Sequence, residues 1–293
     1  MNGYNAELYL KEAIDSIFAQ TYSNWHIVFV DNCSTDGTKK IVDSYENKID
    51  YYKTRQNIPL GEARNFGLQF CSGEYLAFLD CDDIYLPEKL EKQVSLMKSR
   101  DYAMCYGSFI VIDRNGKEIK KDIVKIQSGN IFSGLLKRYE INMQTVMLKK
   151  DFIVTNHLSF NINMSYCPDH NLFMNIASMA EVGVIIDVIA KYRKLSNSLS
   201  KKTLDIAPNE FRFTLDEISL NKPQLKQQFS DDFDYAYMKA NYYEVISHIY
   251  NNNRKKARKK LRSIFTSKIE YFLLYLLLLM PLKNKLILKL LGR

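Results

Sequence analysis

The sequence predicts an α/β protein: a largely parallel sheet flanked by helices over residues 1 to about 110, a mixed region to about 200, and a helical extension over residues 201–293. Three observations carry that prediction. Segments with helical spacing alternate with short apolar runs, the order that places parallel strands under crossover helices. An apolar content of 46% over 293 residues suffices for the core of one large domain and an appendage. Tyr75 to Leu79 is a strand-length apolar run that empties into Asp80, Asp82 and Asp83, as expected of a central strand whose carboxyl end faces a ligand.

The elements follow in order. Tyr9, Ala13, Ile14 and Ile17 share one helical face that ends near Gln20. Trp25 to Val30 reads as a strand stopping at Asp31, and Ser34, Thr35 and Thr38 offer caps for a helix through Tyr45. Gly61 to Phe70 is helical in pattern. After the strand at Tyr75, Pro87 opens a helix whose core face is Leu90, Val94 and Met97. Ala103 to Ile112 reads as a strand and Asn115-Gly116 as a hairpin turn.

Asp80-Cys81-Asp82 is the main chemical signal. Hard cations such as Mg²⁺ and Mn²⁺ are held by one or two carboxylates together with oxygens of a phosphorylated substrate. The pair therefore suits metal-bridged diphosphate chemistry, while the structural alternative is a polar turn capping the helix after Pro87.

Composition excludes other classes. The five cysteines form no Cys-x-x-Cys pair and no signal peptide precedes them, which points to a reduced, cytoplasmic chain without structural zinc. Charge is unevenly placed. Residues 254–293 hold twelve Lys or Arg against Glu270 alone, a local +11, which leaves 29 bases and 32 acids, or −3, for the rest. The basic run starting at Arg254 is followed by the apolar stretch Tyr271 to Leu282, which sets nucleic acid aside as the partner. At about a dozen residues that stretch falls short of the roughly 20 a membrane span needs. Basic flanks around it fit an interfacial helix on an anionic membrane, peripheral to the inner face of the cell membrane. A hydrophobic helix docked on the body or on a second subunit is the alternative.

Read together, Gly3-Tyr4-Asn5-Ala6, Gln20-Thr21-Tyr22, Asp31-Asn32-Cys33-Ser34-Thr35-Asp36-Gly37, Gly61-Glu62-Ala63-Arg64-Asn65 and Gly73-Glu74-Tyr75 through Asp83 resemble, in order, the family 2 glycosyltransferases. The resemblance spans residues 3 to about 200. It implies a GT-A fold and inverting transfer of a sugar from a nucleoside diphosphate sugar, most often a UDP-sugar, with a divalent cation, Mn²⁺ or Mg²⁺. Residues 1–200 would be the catalytic domain, with a nucleotide-binding half to about 110 and an acceptor half over 111–200. The acceptor would be a hydroxyl of a glycan or lipid-linked glycan in cell-surface polysaccharide or lipopolysaccharide synthesis.

The same resemblance implies roles. Tyr4 and Asn5 would border the nucleotide sugar, Asp31 would accept a hydrogen bond from the base, Arg64 would approach the diphosphate, Asp80 would meet the ribose or the metal, and Asp82 would ligate the metal. Their structural alternatives are a helix cap for Asp31 and a surface helix position for Arg64. Asp83 would orient the loop. Asp169, matched in Pro168-Asp169-His170, would be the catalytic base, held ionised by a helix N-terminus; otherwise it is a helix-opening acid beside Pro168. His170 has no partner at ligand spacing and is assigned no role.

Three departures qualify the match. Pro168 stands where the family has Glu, and Leu195 where it has His, with Arg193 or Lys194 expected to compensate toward the diphosphate. The family's first apolar strand would precede Asn2, so Met1 is expected to be an internal methionine of a longer protein, and without that strand the sheet would have an unpaired edge and a thin core. Two rival functions fit less of the pattern: a sugar nucleotidyltransferase, and a catalytically silent nucleotide-sugar- or glycan-binding protein at the membrane.

Overall fold

The computed structural model describes residues 1–195, 205–264 and 269–291, and the chain divides into two compact units, Met1–Ser198 and Leu199–Arg293. The first unit is built on two sheets. In one, β1 (Asn2–Gly3), β2 (Ile27–Asp31) and β3 (Ile49–Lys53) pair in parallel in that order. Helices α1 (Leu10–Phe18) and α2 (Thr38–Asp43) connect them, and α3 (Leu60–Leu68) leads into the second sheet. The α1 face formed by Leu10, Ala13, Ile14 and Ile17 packs with Ile27 and Phe29 in one core.

The second sheet runs β4 (Tyr75–Ala77), β8 (Met147–Lys149), β6 (Met104–Ile112), β9 (Val182–Arg193), β5 (Ile84–Tyr85), with β7 (Glu118–Asp122) added to β6. Here only β6 and β9 pair in parallel. The largely parallel sheet expected to residue 110 is thus confined to β1–β3, because β4, β5 and β6 pair with β8 and β9 from later in the chain; β6 also turns back into β7 through the Asn115-Gly116 hairpin, Gly116 adopting φ +84°. Helices α4 (Lys89–Ser99), α5 (Phe132–Lys137), α6 (Lys150–Thr155) and α7 (Pro168–Ala177) complete the unit.

Among the described residues, β4 is an edge strand rather than the fully covered central strand expected of Tyr75 to Leu79; Leu76 is buried and Ala77 exposed. The two sheets meet through a single parallel bridge, Asn2 to Asp80. Beside it lies a cavity of about 260 Å³ lined by Val28, Val30, Leu76, Phe78 and Leu79. The Met1 ammonium sits at its margin, donating to the Val28 carbonyl at 2.8 Å, and burial lowers its pKa.

The second unit is helical: α8 (Ala207–Asn221), α9 (Pro223–Gln228), α10 (Ser230–Tyr250), α11 (Arg254–Arg262), α12 (Ile269–Leu279) and α13 (Asn284–Leu290). Val245, Ile249, Leu261, Leu274, Leu278 and Ile287 share its core. One face of the apolar tail is therefore docked within its own unit, as the alternative to an interfacial helix requires. No described helix is long and apolar enough to cross a membrane.

Candidate active site

The site forms where β1, β2 and β4 end. Asp31 closes β2, wholly buried. The Ser34 amide donates to its Oδ1 at 2.7 Å, the Tyr51 hydroxyl donates to its Oδ2, and Lys53 Nζ lies 3.9 Å away. Its carboxylate thus pins the turn after β2 and is not the helix cap of its structural alternative, since α2 begins only at Thr38, after Gly37. Asn5, at φ +50°, ties that turn to the end of β1: its amide donates to Ser34 Oγ and its Oδ1 accepts from the Thr35 amide, both at 2.9 Å. Tyr4 beside it is exposed.

Across β1 lies the acidic cluster. Gly3 pairs with Asp31 on one side of β1 and Asn2 bridges Asp80 on the other, so the two aspartates flank one strand, roughly 10 Å apart at two strand spacings. A side chain at position 3 would bring Cβ within 2.8 Å of the Cys81 sulfur, so this close approach requires glycine. From α3, Arg64 Nη2 donates to Asp80 Oδ1 at 3.1 Å. Arg64 is 6% exposed and its guanidinium lies 5.4 Å from the Phe160 ring centre, so it is not a surface helix residue. Its Nε has no protein partner and is buried.

Asp82 and Asp83 are held from behind by Arg193, at the end of β9. The Arg193 amide donates to Asp83 Oδ1 at 2.8 Å and its Nε to the Asp82 carbonyl at 2.9 Å. Its Nη2 pairs with Glu12 and its Nη1 reaches the Asp113 carbonyl at 3.3 Å. With its side chain 2% exposed and so engaged, Arg193 positions the acidic loop instead of compensating at the diphosphate. Sequence proximity could not reveal this, since Arg193 and Asp83 are 110 positions apart. Lys194 is exposed and Leu195 partly buried.

Burial, reinforced by the Asp80 charge and opposed by Arg193, pushes the Asp82 carboxyl up to about 6. Asp83, 1% exposed, is raised well above the carboxylate range, first by burial and then by Asp82 and Asp80.

Asp169 is the second residue of α7, after Pro168 at the first helical position. Burial raises its pKa, while Arg64 and the amides of Asp169 and His170 lower it and Asp80 raises it. Burial therefore outweighs the helix N-terminus expected to favour ionisation. Arg64 and Asp80 both act on Asp169, so the base candidate and the acidic cluster share one field. His170 is buried with its ring 4.5 Å from that of Tyr139.

The arrangement offers two adjacent carboxylates, one desolvated, beside a buried guanidinium with a spare N–H. No group of three or more His, Cys, Asp or Glu side chains able to hold a metal is present among the described residues. Asp80 and Asp82 nevertheless fit a divalent cation completed by substrate oxygens, because they are two half-buried carboxylates two positions apart, the hard oxygen donors such an ion takes.

Solved structures share this architecture. S. aureus TarS, determined in complex with UDP-GlcNAc, matches with a TM-score of 0.67 at 19% identity, over 83% of this chain and 79% of that one. The mannosyltransferase PcManGT from Pyrobaculum calidifontis, in complex with GDP-Man and Mn²⁺, matches with a TM-score of 0.62 at 14% identity, over 91% and 74%. The fold is the GT-A type of glycosyltransferases.

In sequence, the chain is 30% identical over 206 residues to the Escherichia coli UDP-Glc:alpha-D-GlcNAc-diphosphoundecaprenol beta-1,3-glucosyltransferase WfgD, spanning 68% of this chain and 78% of that protein. It is 33% identical over 151 residues to the putative teichuronic acid biosynthesis glycosyltransferase TuaG of Bacillus subtilis, spanning 50% and 60%. Residues 3–174 match the glycosyl transferase family 2 model, and the chain belongs to that family and is a glycosyltransferase.

Proposed function

We propose that this protein transfers a sugar, with inversion at the anomeric carbon, from a UDP-sugar to a hydroxyl of a glycan or lipid-linked glycan in bacterial surface-glycan synthesis. The observation that carries the reading is the Arg64–Asp80 ion pair at 3.1 Å beyond β4, supported by the charges of both residues acting on Asp169 at the start of α7. The relatives' activities on a diphosphoundecaprenol-linked sugar and in teichuronic acid biosynthesis support the acceptor class.

In this reading residues 1–200 form the catalytic domain. Its half to about residue 110 binds the nucleotide through Tyr4, Asn5, Asp31 and Arg64, and residues 111–200 face the acceptor. Asp31 meets the base from the end of β2 and Asp80 the ribose and metal. Arg64 places its spare N–H toward the diphosphate, where a guanidinium fork matches phosphate oxygens. Asp82 and Asp80 hold Mn²⁺ or Mg²⁺, which when bound offsets charge on the departing nucleoside diphosphate. Asp169 takes the proton of the acceptor hydroxyl as that oxygen attacks the anomeric carbon from the face opposite the leaving group.

The test is transfer from a panel of UDP-sugars to undecaprenyl-diphosphate-linked GlcNAc, with the product's anomeric configuration read by proton NMR. An α-linked donor should give a β-linked product. An α-linked product, or donor binding without transfer to any acceptor, would oppose the reading.

A further inference from the structure

The apolar tail has two faces, and only one is used inside its unit. Tyr271, Leu274 and Leu278 of α12 and Ile287 and Leu288 of α13 are buried against α10 and α11. The other face of α12 presents Ile269, Phe272, Leu273, Leu276, Leu279 and the following Met280 to solvent, spaced three and four residues apart along one helical stripe. Leu279 is 52% exposed, and Leu286 and Leu290 extend the apolar surface onto α13.

Cations border this surface. Arg262 Nε donates to the Tyr275 hydroxyl at 2.9 Å and Arg254 Nη1 to the Met280 carbonyl at 2.9 Å, which fixes basic α11 along α12. Lys255, Lys256 and Lys259 of α11 are exposed, as are Lys283, Lys285 and Lys289 around α13. Glu270 is the one acid in residues 254–293. A protein partner for such a stripe needs a matching apolar face with acidic edges, whereas an anionic bilayer supplies an apolar interior under a negatively charged surface.

We infer that the α12–α13 stripe lies in the headgroup region of an anionic membrane, with the α11 and α13 lysines against lipid phosphates. The docked inner face keeps the unit folded while the outer face inserts, so α12 lies along the membrane instead of crossing it. This inference stands apart from the sugar-transfer reading, and its readout needs no turnover.

The experiment is co-sedimentation of the full chain with vesicles of phosphatidylglycerol and phosphatidylcholine, or of phosphatidylcholine alone, at low and high salt. Two double variants accompany it: Leu273→Asp with Leu276→Asp on the stripe, and Lys255→Glu with Lys259→Glu on α11. All four positions are exposed, and helical circular dichroism checks each fold. Binding to anionic vesicles should fall about tenfold or more in both variants and at high salt, with UDP-sugar hydrolysis unchanged. Binding that is equal for neutral vesicles, or unmoved by either variant, overturns the inference. So does a wild type that ignores vesicles and forms a dimer which the stripe variant dissolves, since a second copy then covers the face.

Discussion

Replacing Asp82 with Asn should stabilise the metal-free protein while removing its metal-dependent activity. Burial and the Asp80 charge raise the Asp82 pKa from 3.8 to about 6, roughly two units. Each unit corresponds to about 1.4 kcal/mol between protonation states, so the ionised carboxylate costs the fold up to about 3 kcal/mol. Partial solvent access lowers that to about 2 kcal/mol.

The sign follows from the direction of the shift. A carboxyl whose pKa is raised on folding favours the neutral form, so its penalty is absent below 3.8, builds between 3.8 and about 6, and is complete above that. Asp82→Asn removes the charge and should raise the free energy of unfolding at pH 7.5 by about 2 kcal/mol, with little gain near pH 4. Urea titration followed by Trp25 fluorescence reports this for the first unit, since Trp25 is the single tryptophan. With saturating Mn²⁺ and UDP the order should reverse, because ligand binding stabilises the wild type through a site the variant has lost. A variant less stable than wild type at pH 7.5 without metal, or a wild type unmoved by Mn²⁺ and UDP, would refute the reasoning.

Asp169→Asn should lower transfer by about 10²- to 10⁴-fold while leaving UDP affinity within a few-fold, measured by initial rates and calorimetry. In the wild type the rate should rise with pH through an apparent pKa above 3.8, because burial raises Asp169. Arg64→Ala should weaken UDP binding about tenfold and move that rising limb to higher pH, because Arg64 holds the Asp169 pKa down. Arg193→Ala should cost about 3 kcal/mol or more in urea unfolding and also weaken Mn²⁺ binding, since it removes the guanidinium that bonds the Asp82 carbonyl and pairs with Glu12, leaving the acidic loop only the amide of residue 193 on Asp83. Lys89→Met should stabilise the first unit by about 2 kcal/mol at pH 6.5 and less at pH 9. Burial lowers the Lys89 pKa to about 7, so its penalty is complete below that pH and fades as the pH rises toward 10.5.

What was legible in the sequence was local. The α1 stripe, the strand ending at Asp31, the strand from Met104 and its hairpin turn are each declared within a dozen residues, and all form close to where the pattern puts them. The edge strand β3 was missed because Asp50 and Lys53 break its apolar pattern, and it is held by backbone pairing to β2. The candidate residues themselves were readable as motifs. Their support was not: Tyr51 on Asp31 comes from β3, and Arg193 behind Asp83 comes from β9. The burial that raises the Asp169 pKa was hidden for the same reason, since a helix N-terminus is visible in sequence and burial by distant segments is not.

The most direct test of the central claim is UDP release from a UDP-sugar in the presence of the acceptor, with Mn²⁺ or with chelator, for wild type, Asp82→Asn and Asp169→Asn. The account predicts turnover only for the wild type with metal, UDP binding retained by Asp169→Asn, and metal-assisted UDP binding lost in Asp82→Asn. Turnover by either variant at the wild-type rate, or wild-type turnover undiminished by chelator, would contradict it.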